Sequence, residues 1–267
     1  MTTQRHLPME PGGGRVLFPS HRVVAFYGAA GDPALGVLGD APPARLWPRL
    51  AAQSAPYGQR GLQTVPALEL IAYVAQGSPG NDGGYAARVP DSTIRTYLKV
   101  VQAHHGMLIL DIQPGRTSLL ADAKTLAPYL AQPDVALALD PEWELQAGQL
   151  PLHQVGHTTA GEVNAVSAWL SQLVAAHDLP QKLLLVHQFR ASMILDKPAV
   201  QPRAGLAIVF NMDGFGDRSE KLSTYAMVSS DHRFGLGFKL FYQRDTDIFG
   251  PAEVLGLEPA PVVVEYE

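Results

Sequence analysis

Two pairs of polar residues spaced two apart close apolar runs in this chain: Asp140 with Glu142, and Asn211 with Asp213. On a strand, residues two apart face the same way, so each pair points together into whatever lies beyond the strand end. Two carboxyls side by side repel, which raises one pKa and keeps a proton on that group near neutral pH. A proton-bearing carboxyl next to an ionised one is what glycosidic cleavage requires: one group protonates the leaving oxygen, and the other activates water or attacks the sugar carbon. Glu142 is therefore assigned as the acid, with Asp140 orienting it and tuning its pKa. Asp111 or Asp213 is the nucleophile, base or intermediate stabiliser.

Around these four catalytic candidates stand the expected substrate-binding groups. Tyr27, Trp143, Phe241 and Tyr242 offer flat apolar faces to sugar rings, and Gln113, Gln188 and Asn211 place amides at strand ends. His187 closes the run Leu183-Leu-Leu-Val186 and is read as a substrate contact or proton relay. Glu69 and Lys239 fall inside strands. Burying either charge alone is prohibitive, so an ion pair across the interior or contact with the site is expected. Taken singly, each strand-end Asp also fits a helix N-cap, and Asp140-Pro141 fits a turn opener. The chemical reading rests on their convergence, and so on the fold.

The elements that must produce this convergence follow from hydropathy. Continuous apolar runs of four to eight residues read as strands buried on both faces, the pattern of parallel sheets covered by helices. Such runs lie within 23–28, 65–75, 107–112, 135–139, 183–186 and 206–212, with weaker candidates at 225–228 and 238–242. Helical spacing covers 44–57, a stretch starting at Asp91 as N-cap, 121–130, and a segment opened by the capping box Thr159-Ala-Gly-Glu162. A short closing helix is predicted at 252–257. Eight strands separated by helix or loop in 267 residues point to one (β/α)8 TIM barrel, with an open doubly wound parallel sheet as the alternative. The predicted division is 1–21 as an extended N-terminal segment, 22–258 as the barrel and 259–267 as a C-terminal tail. Strand ends at the carboxyl face of a barrel are where such proteins place chemistry. The long loops after the second and fourth strands, residues 76–85 and 143–158, are expected to build the cleft.

Composition narrows the partners. Lys+Arg 20 against Asp+Glu 25, without a run of like charges, argues against a nucleic-acid groove or a polybasic membrane patch. With no cysteine, disulfides and thiolate metal ligands are excluded. Residues 1–10 are polar, with no signal-peptide core and no membrane span: the reading is either a cytosolic protein or one whose leader lies outside this chain. Gly12-Gly13-Gly14 lacks the Lys-Ser/Thr of a phosphate loop and is expected to be a flexible lead-in. No cofactor and no metal site are assigned. A divalent ion held by His187, Asp111, Asp140, Glu142 and Asp213 is the less favoured option, because no HxH or HExxH spacing supports it.

At Asp140-Pro141-Glu142 the chain resembles the fourth-strand signature of the chitinase-like family 18 glycoside hydrolases, which ends Asp-x-Glu with Glu as the acid. Met212-Asp213 is similar to their sixth-strand Met-x-Tyr-Asp. Two earlier Asp positions of that family fall on Val135 and Ala138, and the sixth-strand Tyr is missing, a departure from chemistry assisted by an N-acetyl sugar. Over most of its length, through segments such as 22–28, 108–116, 137–143 and 211–216, the chain is similar to an actinobacterial group of exported, lipoprotein-type proteins of unassigned activity. That resemblance implies an extracytoplasmic location, and composition alone leaves a cytoplasmic one open. The leading expectation is a cofactor-independent glycoside hydrolase acting on a cell-envelope or environmental polysaccharide. The alternatives are a metal-dependent phosphoester or amide hydrolase and a non-catalytic carbohydrate-binding barrel. The oligomeric state is left open.

Overall fold

A computed structural model describes residues 7–58 and 62–267; the expectation for residues 1–6 lies outside them. Eight parallel strands form the wall: β1 (His21–Gly28), β2 (Gln63–Ala75), β3 (Met107–Ile112), β4 (Val135–Leu139), β5 (Lys182–Gln188), β6 (Leu206–Met212), β7 (Gly235–Leu240) and β8 (Val263–Tyr266). Each pairs in parallel with its neighbour in chain order, and β1 also pairs with β8, in register from Val23 with Val263 to Phe26 with Tyr266. The cylinder is thus closed and has no free edge, which rules out the open sheet.

Most of the predicted elements form where the periodicity places them. Helix α1 (Pro43–Ser54) packs Leu46, Trp47 and Leu50 on the barrel, and α2 (Asp91–Ala103) packs Ile94, Tyr97, Leu98 and Val101. After β3 come α3 (Leu119–Thr125) and α4 (Ala127–Leu130), and after β4 comes α5 (Ala160–Ala176), opened by the full Thr159/Glu162 capping box. Beyond β6 lies α6 (Arg218–Val228), and beyond β7 the short α7 (Pro251–Leu255). The β5–β6 connection holds two 3-10 turns and the two-residue strand Ile194–Leu195, which pairs with Thr158–Thr159, and no α-helix.

Four expectations are corrected. Residues 225–228 belong to α6, whose capping box of Asp217 and Glu220 overrides the local β-branched and aromatic look of Tyr225-Ala-Met-Val228. Residues 259–267 are not a tail outside the barrel, because Val263–Tyr266 inserts as the closing strand. Asp91 is the first helical residue; Pro90 holds the cap position, and Asp91 is paired with Arg88 instead. Finally, Gly12-Gly13-Gly14 forms a turn closed by Glu10 N–H to the Gly14 carbonyl. Gly12 lies against His21, leaving no room for a Cβ. The segment 7–20 is therefore packed structure, and its Leu17 is fully buried with the interior residues Val23, Val65, Met107, Leu183 and Val209.

The barrel interior changes character along its axis. Inward positions near the strand starts are apolar, including Ala25, Ala67, Ile109, Ala136 and Leu185, with Leu17 sealing that end. Continuing each alternation, by two residues in most strands and by four from Ala136, brings Tyr27, Glu69, Asp111, Asp140, His187, Asn211, Lys239 and Glu265 inward in the carboxyl-terminal half. A polar band so wide needs space: at Gly237 a Cβ would stand 2.2 Å from Asn211 Oδ1, so only glycine admits that amide. If Leu17 is part of the core, Leu17→Ala costs about 2–5 kcal/mol of stability. Chemical denaturation checks this, with Val16→Ala, at an exposed neighbour, as the near-neutral control.

Candidate active site

His187 occupies the centre of the polar half and is entirely buried. Its Nε2 lies 2.9 Å from Glu69 Oε1, its Nδ1 3.0 Å from Asp213 Oδ2, and Glu265 Oε2 is 3.9 Å from Nδ1. Burial alone would lower the imidazole pKa. The Glu265, Asp213 and Glu69 carboxylates outweigh it and hold the ring as an imidazolium, well above its usual range. Asn211 Nδ2 donates to Glu265 Oε2 at 2.5 Å, while burial first and then Glu69 push the Glu265 carboxyl pKa well above its usual range.

Lys239 is the second buried cation. Its Nζ lies 3.2 Å from Asp213 Oδ1, 2.9 Å from Glu267 Oε2, and 3.5 Å from the centre of the Tyr27 ring, a close cation–π contact. The Tyr27 hydroxyl donates to Asp111 Oδ2 at 3.4 Å and accepts from Gln113 Nε2 at 3.2 Å. Burial works to raise the Asp213 pKa, but Lys239 and His187 outweigh it, and the carboxylate stays ionised, far below its normal value. Glu142 is the opposite case. Burial first, and then the negative charge of Asp213, push it up to about 7, against the pull of Lys239 and His187. Asp111 is likewise raised to about 7, and Asp140 rises well above the carboxylate range, in both cases chiefly by burial. Among the described residues, the buried oxygens Glu69 Oε2, Asp111 Oδ1, Asp140 Oδ1 and Glu265 Oε1 have no hydrogen-bond partner. The cluster holds more carboxyls than its two cations can neutralise, and the surplus retains protons.

Above the cluster opens a cleft of about 940 Å³. Tyr27, Gln113, Asp140, Glu142, Trp143, Asp213, Lys239 and Phe241 all reach it, as eight of the residues expected from the sequence. Asp140 heads a 3-10 turn over Pro141–Trp143 yet makes no side-chain cap bond there, so its carboxyl belongs to the cleft. Glu69, Asp111, His187 and Asn211 are fully buried and do not line it; they form the layer that holds the lining groups. Glu69 and Lys239 do not pair with each other, because His187 and Asp213 stand as their partners.

Two expected contacts fall outside. Gln188 points away from the interior, as its place next to the inward His187 requires, and accepts from Lys197 Nζ at 2.7 Å. Tyr242 stacks on Tyr266 at 5.2 Å and donates to Gln53, on the outer side of β8. The loop 76–85 does not line the cleft; its hairpin with the extension of β2 folds it aside, and loops after β1, β4, β5, β6 and β7 form the walls. Among the contributors not foreseen are Glu265 and Glu267, hidden in the supposed tail, and the lining residues Phe189, Arg190, Phe215 and Arg244. The alternation Val263-Val264-Glu265-Tyr266-Glu267 was the available signal for the first two.

One group of ligand atoms has the spacing for a metal ion: single atoms of Glu69, His187 and Glu265 lie within 4.8 Å of one another, all buried. A cation there would have to replace the proton on an imidazole nitrogen that already faces a carboxylate. No protein-family model and no curated protein matches the chain.

The raised carboxyls imply a pH-dependent stability. Glu142 and Asp111 bind protons more tightly folded than unfolded, so stability is full below their ordinary values of 4.5 and 3.8. It declines as pH rises, until both are ionised above about 7. Asp213 acts in the other sense, but its contribution is lost only below its ordinary 3.8. The expected outcome is a melting temperature that falls from pH 5 to pH 8, with a shallower fall in Glu142→Gln and Asp111→Asn, checked by calorimetry across that range.

Proposed function

We propose that this barrel is a glycoside hydrolase in which Glu142 is the general acid and Asp213 the ionised partner. The observation that carries the reading is the divergence of two carboxyls sharing one cleft: Glu142 is pushed up to about 7 while Asp213 is held ionised by Lys239 and His187. Environments that drive two such pKa values apart are how acid and base roles are divided between like groups. Asp140, proton-bearing at neutral pH, orients Glu142 and limits the charge beside it. Asp213 then faces the developing oxocarbenium ion, as nucleophile, as base toward water or as electrostatic stabiliser.

The remaining lining supports a saccharide. Trp143, Phe215 and Phe241 give apolar faces, and Phe215 is 55% exposed, a cost in water that a bound ring would remove. Tyr27 and Gln113, fixed by mutual hydrogen bonding, present polar edges at the floor. The resemblance of Asp140-Pro141-Glu142 to the chitinase-like acid motif agrees with these roles. The similarity to exported actinobacterial proteins points the substrate class toward cell-envelope or environmental polysaccharide and the location toward the extracytoplasmic side.

Reducing-end release from a polysaccharide panel tests the proposal. Glu142→Gln and Asp213→Asn should each lower turnover by about 10²–10⁴-fold while the protein stays folded. An undiminished rate in Glu142→Gln would reject the assignment. Activity lost to chelators, with metal in the purified protein, would favour the metal-dependent hydrolase, and glycan binding without turnover would favour the binding barrel. For the active protein, kcat/KM should fall as pH rises through about 7, where Glu142 loses its proton. This alkaline limb should vanish for substrates whose leaving group needs no protonation.

A further inference from the structure

One wall of the cleft is rich in hydrogen-bond donors and is used by nothing in the proposed reaction. Arg190, just after β5, and Arg244, in the turn after β7, both line the cleft and are exposed. Among the described residues neither guanidinium makes an ion pair or hydrogen bond; each is stacked on an aromatic ring, Arg190 on Phe189 at 5.4 Å and Arg244 on Phe215 at 5.1 Å. Helix α6 brings Ser219, Ser223 and Thr224 to the same cleft, and none of these hydroxyls has a hydrogen bond within the described residues. Every other cation of the site is committed: His187 and Lys239 are neutralised in the floor. The nearby acid Glu220 is occupied in capping α6, accepting from Asp217 N–H at 3.1 Å.

The wall is built on a rigid support. Buried Lys221 pairs with buried Asp245 at 2.9 Å and donates to the carbonyls of Gly214 and Lys239. Asp245 in turn accepts from the backbone N–H groups of Gly216 and Phe241. This staple joins the loop that presents Phe215 to the turn that presents Arg244, so the stacked pair is held in place before any ligand arrives. Stacking leaves the edge of a guanidinium, with its planar fork of N–H donors, free for a planar or tetrahedral anion.

From this geometry we infer that Arg190 and Arg244 form an anion-recognising subsite, and that the cleft takes an acidic glycan, one bearing a carboxylate, sulfate or phosphate close to the sugar placed over Glu142. The inference rests on the reading of this cleft as a glycan site and adds its substrate class. In a protein whose formal charge is -5, two unpaired cations at the mouth of an acid-lined site are poorly explained by general solubility.

Titration calorimetry on Glu142→Gln, which keeps ligands intact, tests it with two matched pairs of probes: oligogalacturonate against its methyl ester, and sulfated dextran oligomers against plain dextran oligomers. At least one charged probe should bind about 10-fold or more tightly than its neutral partner, the scale of one or two charge-assisted hydrogen bonds. Which pair shows the gap separates carboxylate from sulfate-type chemistry. Adding Arg190→Gln and Arg244→Gln should bring that ratio toward one, without a change in melting temperature. Equal binding within both pairs, a ratio insensitive to the two substitutions, or tighter binding of a single-stranded oligonucleotide than of any glycan would overturn the subsite. Arg-dependent acidic-glycan binding by a wild-type protein that cleaves nothing would keep the subsite and remove the hydrolase reading. Glu142-dependent cleavage of neutral glycans with no charge preference would do the reverse.

Discussion

Everything in the upper half of this barrel depends on one clasp: the His187 imidazolium held between Glu69 on one nitrogen and Asp213 on the other, with Glu265 close beneath. An isolated charge buried so completely would destabilise the fold, and the ring is admitted only because strands β2, β6 and β8 deliver carboxylates to it. The clasp spans the cylinder, since β2 and β5 lie on opposite sides of the strand order. Closure of the barrel and protonation of His187 therefore support each other. Opening the wall would separate the charges, and losing the imidazolium charge would leave one of Glu69 and Asp213 facing a nitrogen lone pair in place of a donor.

A second consequence is asymmetry among the acids. His187 and Lys239 both lean on Asp213, so that carboxylate takes most of the available positive charge. Asp140 and Glu142 are governed chiefly by burial, followed by the negative charge of Glu142 at Asp140 and of Asp213 at Glu142, so both are pushed above the ordinary carboxyl range. The site thus separates an ionised carboxylate from proton-bearing ones by position alone. The apolar lower half, sealed by Leu17, reinforces this by excluding water from beneath the cluster.

The part of the lining supplied by the loops after β6 and β7 has a different construction. There the buried pair Lys221–Asp245 does mechanical work, tying two loops whose outward residues carry Phe215 and Arg244. Charge in the floor sets protonation states, whereas charge in the wall sets loop position. The resulting cleft is lined both by acids, Asp140, Glu142 and Asp213, and by the donors Arg190 and Arg244, which have no ion pair or hydrogen bond among the described residues.

The alternation of apolar runs and carboxylates along the chain was enough to determine a parallel α/β barrel and to mark Asp140, Glu142 and Asp213 as residues of one pocket, because strand period and strand-end placement are local properties. Local pattern misled where a helix cap outweighed β-type residues at Tyr225–Val228, and where a strand lay in the apparent tail. It also could not separate lining from support. Whether Gln188 or His187 faces inward turns on a single step of register, and the partner of Glu69 is set by which strand lies across the cylinder. Those choices, together with the unequal pKa values of the acids, arise from burial and from electrostatic contacts between distant residues, such as His187 and Glu69, more than a hundred positions apart. Only closure of the wall brings them within range.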